Sequence, residues 1–122
     1  MALAREVMGG GFSAGQAKAL NGNLKTAISA AGTTQGTATA LTASTSLVST
    51  ATSLQGVQLP AVEVNDSCVV FNDNTGVTIV VYPDSGAKIN QLSTNTGMNL
   101  ANNTFAEFYR VTATRWIAQL SA

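Results

Sequence analysis

The sequence predicts a small all-β protein, a jelly-roll-like sandwich or small barrel of about eight short strands with an N-terminal arm. From Pro60 onward, runs of β-branched and aromatic residues are separated by Gly, Pro, Asn and Asp turn residues about every 8–12 positions. Beyond residue 31, no stretch repeats apolar residues with the period of a long helix. The chain has 122 residues, which suits one domain.

Residues 1–32 are the predicted arm, and 33–122 are the predicted β domain. Ser13 and Gln16 have the spacing of a capping box, which marks the start of a helix. Poor helix formers interrupt the stripe that follows, at residues 21–23. We therefore expect the arm to be helical in part, with a short or broken helix. The stripe consists of Ala17, Leu20, Leu24, Ala27, Ile28 and Ala31.

The arm also carries apolar side chains that it has no local core to bury. Phe12 directly follows a run of three glycines at residues 9–11. An apolar anchor of this kind is typical of a segment that docks into a groove on another chain. The candidate partner-binding residues are Val7, Met8, Phe12, Leu20 and Leu24.

Residues 33–59 form a Thr/Ser/Ala-rich tract that has two interpretations. Thr37, Thr39 and Leu41 alternate at strand-like spacing, and Thr is a good strand former. Residues 56–60 (GVQLP) then have the form of a short strand that ends at a proline. We expect two or three short strands in this tract. A solvated linker is the alternative.

Two apolar runs, at residues 67–71 and 77–82, flank the loop 72–76 (NDNTG). Their β-branched composition and the Gly that closes the loop predict a β-hairpin.

Further along, alternation places Phe105, Glu107 and Tyr109 on one face of a strand, and Ala106, Phe108 and Arg110 on the other. The remaining predicted elements are a turn at 83–86, a short strand at 87–89, a turn at 95–97, a strand at 104–111, a turn at 112–114 and a last strand at 115–120.

The composition disfavours enzyme chemistry. The chain has no histidine and one cysteine, and only 10% of its residues are charged while 45% are hydrophobic. Without histidine, a Ser-His-Asp triad is excluded and the commonest general base and metal ligand is missing. Cys68 lies within an apolar run, which favours a buried hydrophobe over a reactive thiol. We therefore expect no enzymatic activity, no cofactor and no metal.

The carboxylates fit turns better than a site. Glu63 and Asp66 flank one turn, and Asp73 and Asp84 lie in others. Acidic residues in turns ordinarily bond their own backbone. The loop 72–76 superficially resembles a calcium loop but lacks its length and its bidentate Glu.

The net charge is zero and the basic residues are scattered, so no basic stripe for nucleic acid is present. Near-zero charge also favours association. No run of about 20 apolar residues predicts a membrane span, and the N-terminus lacks a signal-peptide pattern. We expect synthesis in the cytosol, with neither nucleic acid nor membrane as a partner.

Four segments in order carry a resemblance: 34–42 (TQGTATALT), 56–60 (GVQLP), 81–90 (VYPDSGAKIN) and 113–116 (ATRW). This part of the chain resembles small virion proteins of tailed bacteriophages, the capsid decoration or cement class, and related β modules of phage fibres. The resemblance covers residues 33–120 and rests on turn and strand signatures. It implies a homotrimer of jelly-roll-like domains that is seated on the outer capsid surface, with terminal arms on the major capsid protein and no catalytic residues.

The sequence thus predicts a structural virion protein that decorates and stabilises a phage capsid as a trimer. Binding of many copies would bridge neighbouring capsomers and add avidity. The alternative is a receptor- or glycan-binding β module of a phage fibre or head knob, which would present exposed loops and Trp or Tyr to host-surface glycans.

Overall fold

The computed structural model describes residues 24–121, which form ten strands and one short 3₁₀ helix (Gln35–Thr37). Sheet A has six strands in the order β1-β3-β5-β9-β10-β7, and sheet B has four in the order β2-β4-β6-β8. The prediction of an all-β body is confirmed. The strands are β1 (Leu24–Ser29), β2 (Thr39–Ala40), β3 (Thr45–Thr50), β4 (Gly56–Gln58), β5 (Ser67–Asn72), β6 (Ile79–Tyr82), β7 (Lys88–Ile89), β8 (Met98–Leu100), β9 (Thr104–Thr112) and β10 (Arg115–Leu120).

From β1 to β6 the chain alternates between the two sheets, and the strands within each sheet stack in parallel. In sheet A, β1 pairs with β3 and β3 with β5; in sheet B, β2 pairs with β4 and β4 with β6. Strands β9 and β8 then pair antiparallel with β5 and β6. A jelly roll is built from antiparallel strands. The parallel stacking therefore makes this body solenoid-like rather than a jelly roll.

The prediction that residues 67–71 and 77–82 form a β-hairpin is wrong, because β5 and β6, the strands they form, lie in different sheets. Buried amide side chains direct the chain from one sheet to the other. The Nδ2 atom of Asn72 donates to the carbonyl oxygens of Val77 at 2.8 Å and Leu100 at 2.9 Å. The Nδ2 atom of Asn74 donates to the Asn72 Oδ1 at 2.8 Å and to the Val48 carbonyl at 3.1 Å. The same turn residues suit a hairpin and a crossing between sheets, so local sequence does not separate the two.

The prediction that helical structure continues to residue 31 is also wrong for the residues that the structure describes. Leu24–Ser29 is strand β1, which pairs with β3 in parallel. The β-branched Thr26 and Ile28 favour a strand, and Ala27 has a φ of 56°, where the register with β3 shifts. Sheet A thus begins on the arm side of the boundary placed at residue 32. The rest of the predicted helix lies outside the described residues.

The core lies between the two sheets, and alternate residues of β3, β5, β6 and β9 are buried in it. Strand β9 alternates as predicted, with Ala106, Phe108 and Arg110 inward. The tract 33–59 contains strands β2, β3 and β4, as expected. The buried core consists of Ala30, Leu41, Val48, Val57, Leu59, Cys68, Val70, Ile79, Val81, Ala87, Ile89, Leu100, Ala106, Phe108 and Trp116.

Candidate interaction surface

A largely buried polar cluster of Asp84, Arg110 and Trp116 joins two parts of the fold. The Asp84 Oδ1 atom accepts hydrogen bonds from Arg110 Nη1 at 2.6 Å and from Trp116 Nε1 at 2.9 Å. Arg110 also donates from Nε to the Thr112 carbonyl and from Nη2 to the Ala113 carbonyl. Its guanidinium lies 5.1 Å from the Trp116 ring centroid, a cation–π contact. Since the carboxylate is already bonded to cation and indole, this cluster stabilises the fold and is not an open site.

Cys68 lies on β5 of sheet A and is buried in the core, as the sequence predicts. Burial, together with the negative charge of Asp84, raises the pKa of its thiol to about 12. A thiol needs its thiolate form to act as a nucleophile or metal ligand. Cys68 is therefore a neutral core side chain at neutral pH. Among residues 24–121, no group of three or more His, Cys, Asp or Glu side chains could hold a metal ion.

Exposed apolar side chains gather at one end of the outer face of sheet A. Val64, Tyr109 and Val111 are 52%, 40% and 44% exposed, and they line an open cavity of about 370 Å³ together with Asn65 and Arg110. We call Val64, Tyr109 and Val111 the valine patch. The Arg110 guanidinium is turned inward to Asp84, so it adds no exposed cation to the patch.

Backbone hydrogen bonds hold the valine patch in place. The turn that carries Val64 is joined to β9 in both directions, from the Asn65 N–H to the Arg110 carbonyl at 2.7 Å and from the Arg110 N–H to the Asp66 carbonyl at 2.9 Å. Ile117, half-buried on β10, pairs with Tyr109 and extends the apolar surface. These bonds preorganise the surface, so binding to it would order little of the chain.

Tyr109 is the polar member of this patch. Its hydroxyl donates to Glu107 Oε2 at 2.6 Å. This hydrogen bond to the carboxylate raises the pKa of Tyr109, and the negative charge of Glu107 adds to the effect. The hydroxyl therefore stays protonated at neutral pH, and the phenol ring faces solvent as an uncharged surface.

The opposite end of the outer face carries an aromatic pair. Phe71 and Phe105 are cross-strand partners on β5 and β9, with ring centroids 5.1 Å apart and planes tilted by 39°. Both are half-buried, and they line an open cavity of about 280 Å³. Between the two ends, one apolar and two polar residues are aligned across three strands. Val69 of β5 pairs with Glu107 of β9, and Glu107 pairs with Gln119 of β10.

Of the five predicted partner-binding residues, the structure describes Leu24 alone. It is 64% exposed at the start of the edge strand β1. Val7, Met8, Phe12 and Leu20 lie outside the described residues.

Sequence reasoning missed the valine patch, although part of its signal was available. The outward series of β9 continues past Tyr109 to Val111, so strand alternation marks both as solvent-facing apolar residues. Val64 joins them only through the backbone contact between its turn and β9, which no local pattern reports.

A scan against models of protein families finds no match for the chain, and a search of curated proteins finds no significant relative. Within residues 24–121, no helix has the length and hydropathy needed to cross a membrane.

Proposed function

We propose that this chain is a structural virion protein that forms a homotrimer and decorates the outer surface of a phage capsid. The observation that carries the proposal is the valine patch, where large apolar side chains more than a third exposed gather beside a cavity on a rigid sheet end. A clustered apolar patch on the surface of a β domain is typical of a protein–protein contact. The zero net charge reduces repulsion between copies.

The trimer and the capsid come from the resemblance of residues 33–120 to decoration proteins. In this proposal the valine patch packs against sister subunits, and the N-terminal arm, with Val7, Met8 and Phe12, contacts the major capsid protein. The protein acts mechanically and without a cofactor. Each trimer adds buried area between neighbouring capsomers, and its three arms bind with avidity.

Capture by phage heads tests this function. Heads assembled without the chain are mixed with the purified full-length protein and sedimented over a concentration series. The proposal predicts saturable capture that approaches a fixed ratio of chain to major capsid protein. Proportional, non-saturating carry-over into the pellet would contradict it.

The alternative proposal, a glycan-binding module of a fibre or head knob, loses part of its predicted platform. Trp116 is fully buried, and the half-buried Tyr82 donates its hydroxyl to the Thr33 carbonyl at 2.9 Å. Tyr109 is the exposed member of the Trp and Tyr set within residues 24–121. Two results together would favour this alternative: the chain gives a signal on a glycan array, and phage heads do not capture it.

A further inference from the structure

We propose that the cavity at the Phe71–Phe105 end of sheet A is a subsite for one neutral pyranose ring. The inference holds whether or not the chain decorates a capsid. Phe105 and Tyr109 are four positions apart on β9, which corresponds to about 13 Å along the strand. The cavity is thus distinct from the valine patch, and the two surfaces can be occupied together.

An apolar platform forms the floor of this cavity. Phe71 and Phe105 pair across β5 and β9, and Leu47 pairs with Phe71 from β3, so the three side chains form one row. The two rings pack against each other at 5.1 Å with a tilt of 39°. This geometry gives a continuous surface, unlike the separated, facing rings of a cage for a cation. The C–H face of a pyranose ring carries slight positive charge and suits the negative face of an aromatic ring.

Two polar side chains border the platform. Asp73 and Asn103 are exposed and line the cavity, and neither side chain has a hydrogen-bond partner among residues 24–121. Their backbones are fixed, because the Asp73 N–H donates to the Val48 carbonyl and the Asn103 N–H donates to the Asn72 carbonyl, each at 2.9 Å. A carboxylate and a carboxamide at the edge of a ring platform can bond the hydroxyls that project sideways from a sugar.

The other polar lining residues are already occupied. Asn72 donates both amide hydrogens to backbone carbonyls, and its Oδ1 accepts from Asn74. The Thr104 hydroxyl donates to the Ala101 carbonyl at 2.6 Å and retains acceptor capacity. A ligand would therefore bond Asp73 and Asn103, with Thr104 as a further acceptor.

Charge and volume define the ligand class. Among residues 24–121, Asp73 is the one charged residue that lines the cavity, so anionic groups such as phosphates and acidic sugars are disfavoured. The volume of about 280 Å³ lies at the small end of ligand sites, which run from about 300 to 1,000 Å³. It fits a single ring rather than an extended oligosaccharide.

The test is an NMR titration of the full-length ¹⁵N-labelled chain with the methyl glycosides of glucose, galactose and mannose. We expect saturable shifts of the Asp73, Asn103 and Phe105 amide resonances with at least one of them, with a dissociation constant in the millimolar range. Asp73→Ala and Asn103→Gly should each weaken binding by at least about tenfold. Glycine is chosen at Asn103 because its φ is 57°.

Matched controls are Asp66→Ala and Asn65→Gly, which change an exposed turn carboxylate and another positive-φ asparagine at the other end of the face. Both should bind as the unmodified chain does. Absence of saturable shifts with all three glycosides would overturn the proposal, as would saturable binding of tetramethylammonium without glycoside binding. The native mass is measured on the same samples and reports trimer formation. Failure of glycoside binding can therefore be told apart from failure of assembly.

Discussion

The Asp84 Oδ1 atom lies 2.6 Å from Arg110 Nη1. This ion pair is largely buried, since the Asp84 and Arg110 side chains are 17% and 8% exposed. It joins the turn after β6 to the hairpin of β9 and β10. Trp116 donates to the same carboxylate oxygen. One atom thus connects the last rung of the parallel stack to the antiparallel strands that follow it.

Asp84→Asn should lower the free energy of unfolding by about 3 kcal/mol, because it leaves the Arg110 guanidinium buried without its counter-charge. Urea denaturation of the full-length chain measures this loss. The exposed Asp66→Asn is the control and should change stability by less than about 0.5 kcal/mol.

A double variant separates the ion pair from general damage. Adding Arg110→Met to Asp84→Asn removes both charges, and stability should recover in part because no buried charge is then unpaired. Equal losses for the single and double variants would contradict the assigned role of the pair.

Asn72→Asp tests the amide that directs the chain between the sheets. The change removes two donated hydrogen bonds to the Val77 and Leu100 carbonyls and places a carboxylate where the side chain is 1% exposed. We expect a loss of at least about 2 kcal/mol in unfolding free energy. Asn99→Asp, at an exposed position of β8, is the matched control. A loss no larger than the control's would show that the crossing does not depend on this amide.

The pH dependence of stability reports the Cys68 thiol. Its pKa is about 12 in the fold against 9.0 for a free thiol, so the folded state holds the proton more tightly. The resulting stabilisation is complete below about pH 9 and is lost as the pH rises from there toward 12. The stability difference between the unmodified chain and Cys68→Ala should shrink above about pH 9, by at most about 1.4 kcal/mol per pH unit. A difference that does not change between about pH 8 and 11 would contradict this burial effect.

The arm is tested by the triple variant Val7→Ser, Met8→Ser and Phe12→Ser. If these apolar side chains contact the major capsid protein, saturable capture by heads should be lost while the native mass stays unchanged. A control with Ala4→Ser, Ala14→Ser and Ala17→Ser alters the same segment without removing large apolar groups. Undiminished capture of the first variant would remove the arm from the interface.

Some elements could be predicted from sequence because their signals are local. Alternation in β9 gives its inward and outward faces, since successive side chains point to opposite sides of a strand. The turn at residues 112–114 is also a local signal, because it separates the two strand-like runs that become β9 and β10.

Pairing partners are not a local property, and this is where prediction failed. The turn chemistry of residues 72–76 suits a hairpin, but buried contacts of Asn72 and Asn74 carry the chain into the other sheet. Leu24 to Ser29 carries a helical apolar spacing, yet the pairing of Lys25 with Ser46 and of Ile28 with Val48 makes it a strand. Tertiary pairing overrides the local preference in both places.

The candidate surfaces also combine features that have a local sequence signal with features that depend on pairing between distant segments. The outward position of Phe105 and Tyr109 follows from alternation in β9. The contribution of Val64 depends on a hydrogen bond between distant segments, from the Asn65 N–H to the Arg110 carbonyl, and the cavity at Phe71 depends on the register of β5 with β9.

Light scattering across a concentration series measures the native mass of the full-length chain and so tests assembly through the valine patch. We expect a stable trimer with three times the 12.4 kDa chain mass. Val111→Lys, which places a charge in the valine patch, should shift the protein toward monomer, whereas Leu54→Lys, at a similarly exposed leucine elsewhere, should leave the trimer intact. A monomer at every concentration, or a trimer that Val111→Lys does not weaken, would contradict assembly through this surface.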